Sequence, residues 1–214
     1  IIVQNIVTVT MLTAALVIWL QLNHLIHAPL GFNTRNLYYI TSPEGKSQAI
    51  RNQLEKMPFV EKIGKWGYSS FTNNSSSMRT VTKDDKIASV YLTDLDSTAF
   101  DLYGLKILQD NGSVSDGYYL TEEAMRILEY TKEERTIDWG RGYKDPIAGI
   151  LKDFHRINVL QDYQPFAIRL MNQMEAPNFL VRTNGDKQAK AAFIEMIKGL
   201  GITENDVDWY VSSL

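Results

Sequence analysis

The chain has 214 residues, 22 Lys and Arg against 25 Asp and Glu, a formal net charge of −3 and no cysteine. Those figures exclude disulfides, thiolate zinc sites and a cysteine nucleophile. With both signs interspersed and no basic stripe, they also argue against nucleic acid, whose phosphates are neutralised by clustered Lys and Arg.

Charge is placed unevenly, because no Lys, Arg, Asp or Glu precedes Arg35. Between Ile1 and Leu20 there are 15 apolar residues, interrupted only by Gln4, Asn5, Thr8, Thr10 and Thr13. A helix needs ~20 mostly apolar residues to span a bilayer core, and this run reaches that length. Trp19, then Gln21, Asn23, His24 and His27, suit the level where a span meets the headgroups. A secretory signal peptide would start basic, have a shorter apolar middle and offer a small-residue cleavage site. None of these is present. A buried soluble helix is the competing reading, since the threonines and amides dilute the apolar signal. The sequence is therefore read as a membrane stem over residues 1–28, closed by Pro29 and Gly31.

The rest is long enough for one large domain or two small ones with real cores. Residues 36–41 are short and β-rich, a strand. Ser42, Pro43 and Glu44 then read as an N-cap, a first-turn proline and an acid opening a helix to about Met57, with Ala49, Ile50, Leu54 and Met57 on one face. A second strand follows over 59–71, with Val60, Ile63 and Trp66 as candidate core. The same grammar returns at the other end. Residues 178–183 are a strand, Asn184-Gly185-Asp186 a turn, and 187–198 a helix burying Ala189, Phe193, Met196 and Ile197. Gly199 and Gly201 end that helix, and 207–212 are a last strand. The two units are expected to pair into one four-stranded sheet covered by two helices, which makes residues 72–171 an insertion.

The insertion opens on a polar linker, Thr72 to Ser77. Strands over 78–81 and 86–92 flank Asp84-Asp85, a hairpin signal. A short helix over 97–103 and a strand over 105–108 follow. Residues 121–130 form a helix with Ala124, Ile127 and Leu128 inward, and 138–143, 146–153 and 164–171 are further β segments. The fold class is thus α+β and two-lobed: residues 29–71 with 172–214 form one lobe, residues 72–171 a mostly-β inserted one.

No catalytic constellation survives. His24 and His27 are two ligands without a third, which is not a zinc site. His155 stands near Asp153 but without a Ser-Asp framework. Glu122 and Glu123 diverge on a helix whose first turn favours acids. Gly140-Arg141-Gly142 lacks the third glycine and the Lys-Ser/Thr of a phosphate loop. No nucleotide-binding motif, cofactor site or metal site is assigned, and the chain is read as non-enzymatic.

Residues 146–155, Pro-Ile-Ala-Gly-Ile-Leu-Lys-Asp-Phe-His, with Pro165 beyond, resemble a stretch of the MacB/FtsX-type permeases of ABC transporters. Gln21-Leu22-Asn23 and Leu30-Gly31-Phe32-Asn33 are similar to the pattern after that family's first transmembrane helix. Gly117 to Ala124 sits where members carry a strand, "N-E-x-A" and a helix, with Thr121 here replacing the Asn. The resemblance implies a porter lobe of two β-α-β units with an inserted sabre lobe. It implies further transmembrane helices after Leu214, and a location in the inner membrane with the lobes on the periplasmic side. As partners it implies a cytoplasmic ATP-binding subunit, a second permease copy, and a periplasmic adaptor or substrate protein. The activity implied is mechanotransmission: ATP hydrolysis inside drives efflux or release outside. Gly31 and Phe32 at the junction, and Asp153 and Phe154 in the motif, are the candidate mechanical residues. The competing reading is a membrane-tethered sensor that binds a ligand in a pocket lined by Tyr118, Tyr119 and Trp139.

Overall fold

The structure, a computed structural model, describes residues 2–26, 28–67, 77–83, 86–112, 116–140, 142–156, 159–171, 173–175, 177–203 and 210–213. The expected linker before Ser77, the Asp84-Asp85 turn, His27, Arg141 and the start of the last strand lie outside these residues. Helix α1 (Ile2–Ile26) has 25 residues, which at 1.5 Å each gives a length of about 37 Å, above the ~30 Å hydrocarbon core. Its apolar side chains find no protein to cover them: Ile2 is 77% and Trp19 61% exposed. By length and composition it can cross a membrane, with mean hydropathy 1.9 and none of it buried. The hydroxyls of Thr8, Thr10 and Thr13 donate to the carbonyls of Gln4, Ile6 and Val9 at 2.8–2.9 Å, so each is satisfied within the helix.

Beyond the stem, β1 (Leu37–Ile40), β2 (Val60–Trp66), β10 (Asn178–Thr183) and β11 (Val211–Ser213) lie in the order β11-β1-β10-β2, all antiparallel. The four-stranded sheet expected of the two outer units is therefore present. Helices α2 (Ser47–Leu54) and α5 (Ala189–Lys198) cover one face of it. Strand alternation divides the side chains: Ile40, Phe179 and Val181 face these helices, whereas Leu37, Tyr39, Leu180 and Trp66 face away. All four residues expected on α5, Ala189, Phe193, Met196 and Ile197, are buried.

The start of α2 corrects the sequence reading. Ser42 does not cap it. Its Oγ donates to the Pro177 carbonyl at 2.9 Å and its N–H to Asn178 Oδ1 at 2.8 Å, tying the end of β1 to β10. Pro43 to Lys46 form a turn through Gly45 at φ +69°, and the helix begins only at Ser47. A cross-chain partner for Ser42 outcompeted the local cap.

In the insertion, β3 (Ser77–Lys83) and β4 (Lys86–Leu95) form the expected hairpin. Then come α3 (Ser97–Tyr103), β5 (Ile107–Asp110), β6 (Tyr118–Thr121), α4 (Glu122–Ile127), β7 (Thr136–Asp138), β8 (Lys144–Leu151) and β9 (Phe166–Leu170). The sheet continues from β2 as β4-β9-β6-β8-β5, with β4-β9 and β6-β8 parallel. The expected strand over 138–143 is instead the loop of the β7–β8 hairpin, closed by Trp139 N–H on the Tyr143 carbonyl at 2.9 Å. Gly140 and Gly142, at φ +85° and +80°, turn that segment out of the extended region.

The insertion is not a separate sheet. Among the described residues one ladder pair, Trp66 with Leu95, joins the two parts, flanked by Gly67 N–H on Asp94 O at 2.8 Å and Asp96 N–H on Lys65 O at 3.0 Å. On one face, α3 packs across the joint against β2, β10 and β4, and a single apolar cluster runs from Leu37 and Leu180 to Phe154 and Ile168. On the other face there are two clusters, one under α2 and α5, the other formed by Leu120, Ala124, Leu128, Ile137 and Ile150. Asp96 Oδ1 caps α3 by accepting from Ala99 N–H at 2.7 Å, and Gly104 ends it at φ +60°.

Helix α3 approaches β2 so closely that a Cβ on Gly64 would stand 2.5 Å from Ala99 N. Gly64→Ala is therefore expected to lower stability by ~1–3 kcal/mol through overpacking. Thermal unfolding of the detergent-solubilised chain measures it, and a midpoint equal to wild type would show that α3 is not held against β2.

Candidate functional site

The chain leaves α1 through residues 28–34 and enters β1 at Leu37. On the way it meets the segment that follows β8. Leu30 O accepts from His155 N–H at 2.7 Å, and Asn33 N–H donates to Tyr103 O, the last residue of α3, at 2.7 Å. Between these two bonds Gly31 holds φ +94°, and a Cβ there would lie 3.0 Å from Phe154 Cβ and 3.1 Å from Phe154 Cα. Both the backbone angle and the approach call for glycine. Phe32 inserts its ring edge-on between Tyr103 at 5.8 Å and Phe154 at 5.7 Å, and Phe154 packs on Phe166 of β9 at 5.1 Å. Aromatic contacts of this kind add ~0.5–1.5 kcal/mol each beyond area burial. The Tyr103 hydroxyl, fully buried, hydrogen-bonds that of Tyr39 on β1, and burial pushes it well above the usual tyrosine range.

All four candidate mechanical residues thus stand together: Gly31 and Phe32 on the exit, Asp153 and Phe154 on the strand end they touch. Asp153 reaches further. Its Oδ1 accepts from Glu123 N–H at 2.8 Å, in the first turn of α4. Thr121, the N-cap of α4, accepts from Ala124 N–H at 3.3 Å and from Phe166 N–H at 3.0 Å, so α4 is tied at its start both to β9 and, through Asp153, to the contacts around Gly31 and Phe154, here called the clasp. Sequence reasoning did not find Tyr103 or Tyr39, and it met Asn33 only as part of the exit motif. Tyr103 reads only as the end of an apolar helix, and nothing local marks its carbonyl as a partner for residue 33.

The remaining candidates separate. His24 is exposed on α1, and His155 stacks on Tyr163 at 4.4 Å with Nδ1 3.1 Å from Gln161 O. Glu123 is paired with Arg126 at 2.5–2.6 Å, which lowers its carboxyl, while Glu122 is exposed. Among the described residues no His, Asp and Glu group could hold a metal ion. The pocket expected from Tyr118, Tyr119 and Trp139 does not form. Adjacent strand residues face opposite sides, so Tyr119 packs on Phe100 while Tyr118 meets Trp139 edge-on at 5.1 Å inside the other cluster.

No sequence-family profile matches the chain, and no curated protein sequence does. Solved structures do match. The periplasmic region of MacB from Actinobacillus actinomycetemcomitans aligns with TM-score 0.51 at 14% identity, over 78% of this chain and 85% of that one. The extracellular domain of the noncanonic ABC-type transporter YknZ from Gram-positive bacteria gives 0.53 at 12%, over 83% and 97%. A domain of a protein named as a permease from Porphyromonas gingivalis gives 0.51 at 14%, over 84% and 89%. The chain has the fold of MacB-like extracytoplasmic domains, as its motifs had implied.

Asp153 yields a pH dependence. Burial raises its carboxyl above the ordinary value; the Glu123 N–H and Arg126 oppose the rise, while Glu122 and Glu123 add to it. A carboxyl raised in the folded state contributes stability that is full below its unfolded value and lost as pH rises through the folded one. Asp153→Asn, which keeps an oxygen for the Glu123 N–H, is expected to remove that loss. Asp153→Ala, which also removes that loss but leaves the N–H without its acceptor, should lie ~1 kcal/mol below Asp153→Asn at every pH. Denaturant midpoints of the solubilised chain between about pH 3.5 and 7 measure both, and an Asn variant with the wild-type pH profile would contradict the assignment.

Proposed function

We propose that this chain is the extracytoplasmic domain of an ABC transporter permease, with α1 as a membrane span, and that its task is mechanical. A cytoplasmic ATP-binding partner hydrolyses ATP. The stem moves in response, and the movement is relayed to the lobes outside, where it drives efflux or release. The carrying observation is the short path from α1 to the sheet. The exit is pinned by two backbone hydrogen bonds at 2.7 Å and by Gly31 on Phe154 before β1 begins. A displaced stem would pull on Phe154, α3 and, through Asp153, the start of α4. Close-packed interiors transmit such strain because they deform little. Residues 29–71 with 172–214 and residues 72–171 are the units proposed to move, with the single Trp66–Leu95 pair between them as the place of least sheet continuity. In this reading the domain sits on the periplasmic side of the inner membrane, works as a permease dimer, and meets an adaptor or substrate protein outside.

The test is a permease carrying this domain, reconstituted in lipid with its ATP-binding partner. Deleting the domain is expected to leave hydrolysis running and abolish efflux or release. Deletion that instead makes hydrolysis unresponsive to an added extracellular ligand would favour sensing. Gly31→Val should separate the two activities: hydrolysis unchanged, transport reduced about tenfold or more if the strained junction costs ~1.4 kcal/mol of coupling. Wild-type transport in that variant would remove the clasp from the mechanism.

A further inference from the structure

On the face where the two apolar clusters stay apart, a row of side chains crosses three neighbouring strands. Asp94 of β4 is in register with Arg169 of β9, and Arg169 with Tyr118 of β6. Arg169 gives Nε–H to Asp94 Oδ1 at 2.9 Å and Nη2–H to Oδ2 at 3.1 Å, with its guanidinium 5.7 Å above the Tyr118 ring. Trp139 packs edge-on against Tyr118 at 5.1 Å, and Arg79 of β3 lies 5.3 Å over Trp139. Two guanidinium groups are thus set on aromatic faces around one cavity of about 210 Å³, also lined by Ser77 and Thr93. Arg79 forms no ion pair with any described residue. Of the five N–H donors of Arg169, Asp94 takes two.

From the same Asp94–Arg169 pair a larger cleft of about 680 Å³ opens between the two parts of the sheet, lined by Gly67, Met171, Gln173, Met174 and Glu175. The nearby Asp145 accepts from Trp139 Nε1 at 2.8 Å. The two cations that line the small cavity outnumber its one carboxylate, which suits a monoanion. Asp94 and Asp145 together disfavour a dianion such as phosphate. A planar carboxylate matches the guanidinium fork, Met171 and Met174 offer an adaptable apolar wall, and Gln173 brings to the lining an amide that can both donate to and accept from a peptide unit.

We infer that this cleft binds the C-terminal end of a peptide chain, with its carboxylate between Arg79 and Arg169 and the preceding residues along Met171, Gln173, Met174 and Glu175. This assignment needs neither transport nor ATP hydrolysis to be true, so it can fail or stand independently of the mechanical role.

The test is titration of the whole chain in lipid nanodiscs, by calorimetry, with acetyl-Ala-Leu-Leu-Met as free acid and as C-terminal amide. Sodium phosphate and decanoate serve as the other anions. The acid is expected to bind at least about tenfold tighter than the amide, the worth of one charge-assisted hydrogen-bonded contact. Arg79→Gln, a change at an exposed side chain, should abolish that difference without moving the thermal midpoint. Arg79→Lys should restore only part of it. Equal binding of acid and amide, no binding of either, or an unchanged ratio in Arg79→Gln would overturn the assignment. Phosphate or decanoate binding more tightly than the peptide acid would overturn the peptide class.

Discussion

The segment that joins α1 to the sheet is held by a contact that exists because one residue has no side chain. Gly31 brings the backbone leaving the stem to within van der Waals distance of the Phe154 backbone, and that approach sets the positions of its neighbours. It places Leu30 O on the His155 N–H and directs Phe32 between Tyr103 and Phe154. It also lets Asn33 meet the end of α3 before β1 begins. A side chain at residue 31 would have to displace main chain rather than a flexible tip, so the constraint is stiff. The aromatic cluster around it reaches β1 through Tyr39 and β9 through Phe166, elements far apart in sequence.

The two faces of the sheet are built differently. One carries a continuous core bridged by α3. The other carries two cores under different helices, separated where Asp94, Arg169 and Gly67 line the surface. Alternation along the strands produces both from the same residues: in β6, Tyr118 and Leu120 serve one face while Tyr119 serves the other. Gly67 matters at this boundary because a Cβ there would lie 2.9 Å from Asp94 Cβ.

Much of this was legible in the chain. The apolar run of the stem, the strand at 178–183 with its helix, and the pairing of the two outer units followed from periodicity and turn residues, because these are local signals reinforced by burial. What failed was local grammar overruled by distant partners. Ser42 looked like a cap and serves β10 instead, and residues 138–143 had β-formers but two glycines at positive φ. The clasp was half visible. Gly31 and Phe154 drew attention through their motifs, but their contact joins residues more than a hundred positions apart. Tyr103 carried no signal, and Asn33 appeared only as part of the exit motif, with nothing to mark its bond to Tyr103. The Asp94–Arg169–Tyr118 row was likewise invisible, since it exists only once three strands are in register.

A slab supported along one surface and cut on the other is a notched beam. Here the uncut surface is the core beneath α3, and the notch is the cleft above the Trp66–Leu95 pair. Such a body flexes by opening or closing its notch, because the material opposite holds its length. Any small rotation of one sheet half against the other would therefore appear chiefly as a change in the spacing of Met171, Met174 and Gly67, while the packing around Phe154 stayed fixed. The width of that groove is the dimension in which such a rotation would be expressed.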